Sequence, residues 1–295
     1  MNQFRLIFFA IVCLLFASCS GKPKEIVVCG DDQVLIIDRV KSDSTSVVVT
    51  WRWIISEAED LPVAYQKYMI PTDECKPVDN NTKILITSSG GGAVLVDRAT
   101  KKTLFYAHVP NAHSAELLPN DRIVVALSTA EGGNSIELFN ISKPEEVIFR
   151  DSLYSGHGVV WMEEMKRLFA LGYDELRSYS LMNWDSDKPE LKLEKTWKLP
   201  DESGHDLSRV TDRSLVLSTH HSAWIFDIDS EQFSPFELLR DVENLKSVNY
   251  NVSSDELIYT KGEISWWTHN VYCKNPDKII SLPDVNLYKA RVIHW

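Results

Sequence analysis

The chain has 295 residues, a formal net charge of −11 at pH 7 and a hydrophobic content of 44%. This acidic balance argues against general nucleic-acid binding, which requires a basic surface. The length is sufficient for a large buried core, and a single all-β domain of this size is common.

The N-terminus has the layout of a bacterial signal peptide. An almost unbroken apolar run over Leu6–Phe16 is too short for a membrane-spanning anchor, and two small residues then precede Cys19. The sequence FASC at residues 16–19 resembles a lipobox, in which the cysteine is acylated and becomes the new N-terminus. We predict a signal peptide over residues 1–18 and a lipidated tether over residues 19–25. We also predict that the lipid alone attaches the protein to the cell envelope, at the outer membrane, where the protein is either periplasmic or surface-exposed. The alternative is an ordinary cleaved signal beside a chance cysteine.

Three cysteines remain beyond the predicted lipidation site, namely Cys29, Cys75 and Cys273. An odd number in an oxidising compartment does not indicate a disulfide framework, and their spacing does not match structural zinc. We expect buried free thiols.

From residue 26 onwards the chain consists of short β-type runs separated by turn residues. The segments VLIIDR (34–39) and AVLVDR (93–98) are nearly the same, and each follows another apolar run closely. No long stretch has helical periodicity. Short strands at even spacing indicate a propeller, barrel or sandwich, and a repeat of about 45 residues favours the propeller, in which each blade is one four-stranded sheet.

The repeats predict six blades in one β-propeller domain over residues 26–295. The N-terminal segment supplies only three strands, and the C-terminus supplies an extra strand over residues 287–295. A strand borrowed from the other end completes the first blade and leaves no open edge. The alternatives are a seven-bladed ring with a degenerate blade in residues 54–73, or a β-sandwich.

Alignment of the first strand of each blade places Lys or His at one position in all six. The intervals are 37, 44, 48, 41 and 43 residues. Because the first strand of a blade lines the central channel, we expect these side chains to meet near one mouth of the axis, unless the match is coincidental. The predicted ligand-binding residues are Lys76, His113, His157, His205, Lys246 and Lys289.

Such a ring favours an anionic ligand. Crowded cations repel each other, and this repulsion has three possible outcomes: the pKa values of the cations fall, nearby carboxylates neutralise them, or an anion binds. Arg291 lies two residues beyond Lys289 on the same face of its strand, and we include it in the predicted site because its guanidinium suits carboxylate, sulfate or phosphate. Glu74, Glu116 and Asp206 are near in sequence and can compensate part of the charge.

The three histidines also permit a metal site. His113, His157 and His205 belong to consecutive blades, and three converging imidazoles can hold a divalent transition metal with open positions for substrate. The neighbouring lysines disfavour a dication. A divalent metal ion therefore stays an alternative, and we predict no other cofactor.

The inner-strand motifs also carry a family resemblance. They are ECKP (74–77), AHSAELLP (112–119), GHGVVW (156–161), GHDL (204–207), LKSV (245–248) and YKAR (288–291). Through them nearly all of the mature chain resembles a family of uncharacterised propeller lipoproteins from gut Bacteroidetes, which has no established activity. A looser likeness, in fold and axial histidines alone, exists to propellers that act on sugars or aryl sulfates, including metal-dependent oligogalacturonate lyases. Fold alone does not fix function.

Together these patterns predict a monomeric envelope protein that binds an anionic small molecule or an acidic carbohydrate on the propeller axis, without nucleic acid as a partner. The sequence contains no Gly-x-Ser-x-Gly nucleophile motif. One alternative is a metal-assisted lyase or hydrolase for an acidic glycan, in which a Lys or His of lowered pKa removes a proton beside a carboxylate. Another is a protein-interaction scaffold.

Overall fold

The chain folds as a ring of six four-stranded antiparallel sheets in the computed structural model, which describes residues 24–295. This is the six-bladed β-propeller that the sequence predicts, and neither a seventh blade nor a sandwich is present among these residues. The predicted signal peptide and Cys19 lie outside the described residues.

The strands follow the repeats closely. The N-terminal segment forms β1 (Glu25–Gly30), β2 (Gln33–Asp38) and β3 (Val49–Ile54). The second sheet contains β4 (Thr72–Val78), β5 (Lys83–Ser88), β6 (Gly92–Asp97) and β7 (Thr103–His108). The third contains β8 (Ala112–Leu118), β9 (Arg122–Leu127), β10 (Ser135–Asn140) and β11 (Lys143–Ser152).

The remaining sheets repeat this arrangement. The fourth contains β12 (Gly158–Met162), β13 (Arg167–Leu171), β14 (Glu175–Met182) and β15 (Glu190–Lys198). The fifth contains β16 (Asp206–Thr211), β17 (Ser214–Ser218), β18 (Ala223–Asp227) and β19 (Gln232–Pro235). The sixth contains β20 (Leu245–Asn251), β21 (Glu256–Lys261), β22 (Asn270–Lys274) and β23 (Lys278–Ser281). The C-terminal strand β24 (Leu287–Val292) belongs to the first sheet, which has the order β24-β1-β2-β3.

The segment considered for a degenerate blade is helical instead. The helices of the described chain are one short α-helix, α1 (Val63–Gln66), and the 3-10 turns Ile55–Glu57, Lys67–Met69, Glu163–Met165 and Glu237–Leu239. Ile55, Leu61 and Met69 bury this segment against the first two sheets. Within residues 24–295, no helix has both the length and the apolar character needed to cross a membrane.

Apolar packing joins each sheet to the next around the ring. A buried cluster fills each of the six boundaries between neighbouring sheets. At the boundary between the sixth and first sheets, Leu287 and Ala290 of β24 pack with Ile26 and Val28 of β1 and with Ile258 of β21. The hydrophobic effect therefore acts at the junction of the two termini as it does elsewhere in the ring.

Two of the three cysteines sit beside β24. Cys29 and Cys75 are buried free thiols, and their sulfur atoms lie 3.7 and 3.8 Å from the carbonyl oxygen of Lys289. Cys273 is a half-buried free thiol. The prediction of buried free thiols therefore holds for Cys29 and Cys75, whereas Cys273 is only half-buried.

We predict that a chain ending at Asn286 is insoluble or strongly destabilised. In β24, Val292 stands opposite Ile26 and Ala290 opposite Val28, so removal of residues 287–295 exposes the ladder groups and apolar side chains of β1. An unpaired apolar edge promotes aggregation. Solubility and thermal unfolding measure the effect. The control lacks only His294 and Trp295 and is expected to stay soluble. A chain that ends at Asn286, stays soluble and melts like the parent would contradict the prediction.

Candidate functional site

A backbone irregularity at the start of the inner strands builds the site. In β8, His113 is an extra residue between two ladder pairs, and Asp73 in β4 and Lys246 in β20 occupy the same position. Such bulges redirect side chains and are common next to functional sites. In each of the other three sheets, the strand pairing places one residue of the inner strand at the equivalent position. We call this set the axial ring: Asp73, His113, His157, His205, Lys246 and Tyr288.

The strand register corrects the sequence alignment at two of its six positions. His113, His157, His205 and Lys246 are equivalent, as predicted. Lys76 lies three residues beyond Asp73, and Lys289 lies one residue beyond Tyr288. The sequence alignment placed these two lysines wrongly because it matched residues by type. In the structure, the equivalent position is set by its distance from the turn that precedes each inner strand.

A sequence signal for the complete ring does exist. Two residues before each ring member stands a turn-forming residue: Pro71, Asn111, Ser155, Ser203, Asn244 and Asn286. Four of these have a left-handed φ of 50–63°, which Asn tolerates better than most residues. Alignment on this position identifies Asp73 and Tyr288, which alignment on charge missed.

The axial ring opens into a cavity of about 670 Å³ on the propeller axis. Five ring members line it, and the Nζ atom of the sixth, Lys246, lies close to the rings of two lining residues, Trp266 and Tyr288. Trp266 and Trp267, from the loop between β21 and β22, and His220, from the loop between β17 and β18, complete the rim. The cavity therefore combines aromatic surface with a few ionisable groups, as small-molecule sites commonly do.

The three imidazoles form an aromatic arc. The rings of His113 and His157 stack with centroids 4.4 Å apart and planes 11° apart, and the rings of His157 and His205 are 5.0 Å apart. Burial lowers the pKa of His157 to about 4 and lowers those of His113 and His205 well below the usual range. All three are therefore neutral at pH 7.

Backbone carbonyls orient two of these imidazoles. His157 Nδ1 lies 2.9 Å from Ser155 O, and His205 Nδ1 lies 2.8 Å from Ser203 O. Since a carbonyl only accepts, each Nδ1 carries the proton and each Nε2 is an acceptor. His113 Nδ1 is buried and has no hydrogen-bond partner among residues 24–295. The arc thus offers hydrogen-bonding nitrogens without positive charge.

Lys246 is the cation of the cavity. Its side chain is 1% exposed, and Nζ lies 4.9 Å from the ring centroid of Trp266 and 5.8 Å from that of Tyr288. No carboxylate of residues 24–295 forms an ion pair with it. Burial, together with the charge of Lys289, lowers the pKa of Lys246 to about 8. An ammonium without a counterion in this setting gains from a bound anion.

Asp73 introduces an acid into the same cavity. Its carboxylate is 2% exposed and accepts a hydrogen bond from the backbone N–H of Ser89. Burial raises its pKa to about 7, against the opposing effect of that hydrogen bond. Near neutral pH this carboxyl group is therefore only partly charged.

Beneath the ring, a buried ion network fills the channel. Arg291 Nε and Nη2 donate to Glu74 at 2.8 and 2.6 Å, while Nη1 and Nη2 donate to Asp206 at 2.9 and 2.5 Å. Lys289 Nζ lies 3.4 Å from Glu74 and 3.3 Å from Asp206, and it donates to His113 O at 3.2 Å. Two cations thus neutralise two carboxylates. Although burial opposes ionisation, Arg291 holds the pKa of Glu74 and that of Asp206 below their usual ranges.

Lys76 belongs to the opposite mouth of the axis. It lines a separate cavity of about 270 Å³, where Nζ lies 3.2 Å from Glu116 and donates to Val159 O at 2.6 Å. Of the four predicted cationic side chains, Lys76, Lys289 and Arg291 therefore have carboxylate partners. Lys246 alone has none among the residues that the structure describes.

The three histidines do not fit the divalent metal site considered from the sequence. Stacked rings present their faces to one another, whereas metal ligation requires ring nitrogens to converge on one point. Two lysines lie close enough to lower the pKa of His157, and they would also repel a dication. Over residues 24–295, no group of three or more His, Cys, Asp or Glu side chains has an arrangement suited to a metal ion.

Fold and site define a six-bladed β-propeller with a closed channel and a ligand-sized cavity at one mouth of its axis. The chain belongs to the family of unknown function DUF6528, whose family model matches residues 23–294. Among curated proteins, none matches the sequence.

We predict that Arg291→Met destabilises the protein by about 3–5 kcal/mol, since it leaves two buried carboxylates with one ammonium. Denaturant unfolding measures the loss. The control is Arg213→Met, which breaks an ion pair with Asp229 in which both side chains are more than half exposed, and it should change stability little. Equal effects of the two substitutions would show that the buried network has no special role.

Proposed function

We propose that this protein binds an anionic small molecule, and most favourably an acidic carbohydrate, in the axial cavity. The observation that carries the proposal is the buried ammonium of Lys246, which has no carboxylate partner among residues 24–295 and lies beside a cavity of about 670 Å³. A carboxylate or sulfate placed there supplies the missing counterion and forms a charge-assisted hydrogen bond.

The aromatic walls favour a sugar over a bare inorganic ion. Trp266 and Tyr288 flank the ammonium, and the stacked imidazoles extend the apolar surface along the cavity. His157 and His205 line the cavity, and their Nε2 atoms can accept hydrogen bonds from hydroxyl groups. A sugar acid has the matching parts: a ring with an apolar face, several hydroxyls and one negative charge.

We further propose that the protein is a monomeric lipoprotein of the Bacteroidetes cell envelope. The lipobox-like segment before Cys19 and the inner-strand motifs support this assignment. In this scheme the mature chain is held at the outer membrane by its acylated N-terminus, and captures acidic sugars there.

The central test compares the parent with Lys246→Met in calorimetric titrations with a uronic acid, a sulfated sugar and the neutral parent sugar. We expect the parent to bind the acids in preference to the neutral sugar, and Lys246→Met to lose at least about tenfold in affinity for the acids, because one charge-assisted hydrogen bond is worth roughly 1.5–3 kcal/mol. Without ligand, the variant should melt at or above the parent temperature, since a buried charge without a partner is removed.

The control Lys188→Met removes the same charge from an exposed position and should leave affinity unchanged. Affinity of the parent should fall as pH rises from 6 to 9. Lys246, with a pKa of about 8, loses its charge over this range, and Asp73, with a pKa of about 7, gains a negative charge that repels the ligand. If the acids bind no better than the neutral sugar, or if Lys246→Met binds like the parent, the proposal is wrong.

A second candidate function is elimination on an acidic sugar without a metal. The observation that favours it is the presence of Lys246 and Asp73 at one cavity, both with pKa values near neutrality, as required of a base and an acid. Neutral Lys246 would remove the proton next to the carboxylate, and the electron pair would expel the leaving oxygen, which takes a proton from Asp73. Ultraviolet absorbance from an unsaturated product distinguishes this reaction from binding; constant absorbance over long incubation excludes it.

Anchoring is tested separately with the full-length chain. The parent should fractionate with membranes and carry acyl chains on Cys19 in mass spectra, because two acyl chains suffice for stable attachment. Cys19→Ser should be released in soluble form with unchanged sugar affinity. A parent that is soluble and lacks acyl groups would overturn the lipoprotein assignment while leaving the binding proposal intact.

A further inference from the structure

Two exposed aromatic side chains, Tyr154 and Trp266, lie at or next to the axial cavity. Tyr154, Trp266 and Trp295 are 58%, 55% and 36% exposed. Trp266 lines the cavity, and Tyr154 directly precedes Ser155, which also lines it. Trp295 lies instead at the opposite mouth. Large exposed aromatic surfaces beside a cavity mark places where a ligand packs.

Trp266 is held at the tip of a constrained loop. The loop connects β21 to β22, and two backbone hydrogen bonds between Ile264 and Trp267 close it, at 2.9 and 3.2 Å. Ser265 has a φ of 60°, which completes the tight turn. The indole of Trp266 thus projects over the cavity from the sixth sheet, beside Lys246.

Tyr154 and Tyr173 form a second aromatic surface. Their ring centroids are 5.5 Å apart, and the backbone N–H of Tyr173 donates to Tyr154 O at 2.9 Å. Gly204 N donates to Tyr173 O at 2.9 Å, so the pair is tied to the segment that holds Ser203, another cavity residue. We call these two residues the tyrosine pair. The pair does not line the cavity itself, but it adjoins Ser155 and Ser203, which line the cavity on the side of His157 and His205.

The two aromatic surfaces lie on opposite sides of the axis. Trp266 belongs to the sixth sheet, and Tyr154 lies in the connection from the third sheet to the fourth. In a ring of six, the third and sixth sheets face each other. A ligand in contact with both surfaces must cross the whole cavity, over the imidazole arc and past Lys246. One sugar ring can stack on only one of them.

We propose that the natural ligand is an acidic oligosaccharide that runs across the cavity from Trp266 to the tyrosine pair, with one acidic group at Lys246. This proposal rests on the proposed binding function and specifies its ligand as a chain. The tyrosine pair is then a separate subsite for a neighbouring sugar unit. Aromatic contacts of this kind contribute through ring stacking, which requires no charge.

The test is calorimetric titration with galacturonic acid, its dimer and its trimer. We expect affinity to rise with length, and Tyr154→Ala to weaken the trimer roughly two- to tenfold while leaving the monomer unchanged. Because Tyr154 is exposed, the variant should melt like the parent. The matched control is Trp295→Ala, an exposed aromatic residue at the opposite mouth, which should affect no length.

The outcomes separate this inference from the proposed function. If Lys246→Met weakens every length but the monomer binds as tightly as the trimer, the binding function stands and the chain-length inference is wrong. A Tyr154→Ala variant that binds the trimer like the parent also overturns the inference. If no length binds, or if Lys246→Met has no effect on any, both proposals fail.

Discussion

The bidentate contacts of Arg291 are the constraint on which the axial architecture depends. Arg291 comes from β24, Glu74 from the second sheet and Asp206 from the fifth, so one guanidinium joins three blades across the channel. The second and fifth sheets face each other in the ring and share no apolar boundary. A buried pair of this kind is stable only while every charge has its partner. The network therefore fixes the inner strands and divides the channel into two cavities.

This neutral network leaves Lys246 as the one unpaired cation beside the cavity among the described residues, together with the partly charged Asp73. Lys289 and Arg291 are paired with Glu74 and Asp206, and the charge of Lys289 adds to burial in lowering the pKa of Lys246. Burial, together with the charges of Lys289 and Lys246, lowers the pKa values of the three imidazoles and keeps them neutral. The result is an isolated ammonium in a polar but mostly uncharged setting, where one anionic group can be recognised strongly.

Much of the fold could be predicted because each blade carries its own local signals of strand and turn. The equivalent positions of His113, His157, His205 and Lys246 could be predicted because Lys or His occurs at that point of these four inner strands. The sequence alignment missed Asp73 and Tyr288 because the members of the axial ring have the same backbone position but not the same side-chain charge. The pairing of Arg291 with Glu74 spans 217 residues and joins blades through the channel, so no local pattern could indicate it. The sequence indicated Glu74, Glu116 and Asp206 as partial compensation for the cations, but it could not assign them to Lys76 and Lys289, because these partners lie on other blades.

The direction of β1 determines how the propeller is presented. Gly30, at the end of β1, pairs with Leu287 beside the cavity, whereas Glu25, at its start, accepts a hydrogen bond from the N–H of Ile293 near the opposite mouth. Lys24 therefore leaves the ring on the far side, where its ammonium lies 2.8 Å from Glu256. Under the lipid anchoring proposed above, a tether that joins the ring at Lys24 would place the mouth opposite the axial cavity toward the bilayer. The axial cavity would then face away from the membrane, so that a sugar chain could enter it without passing between protein and bilayer.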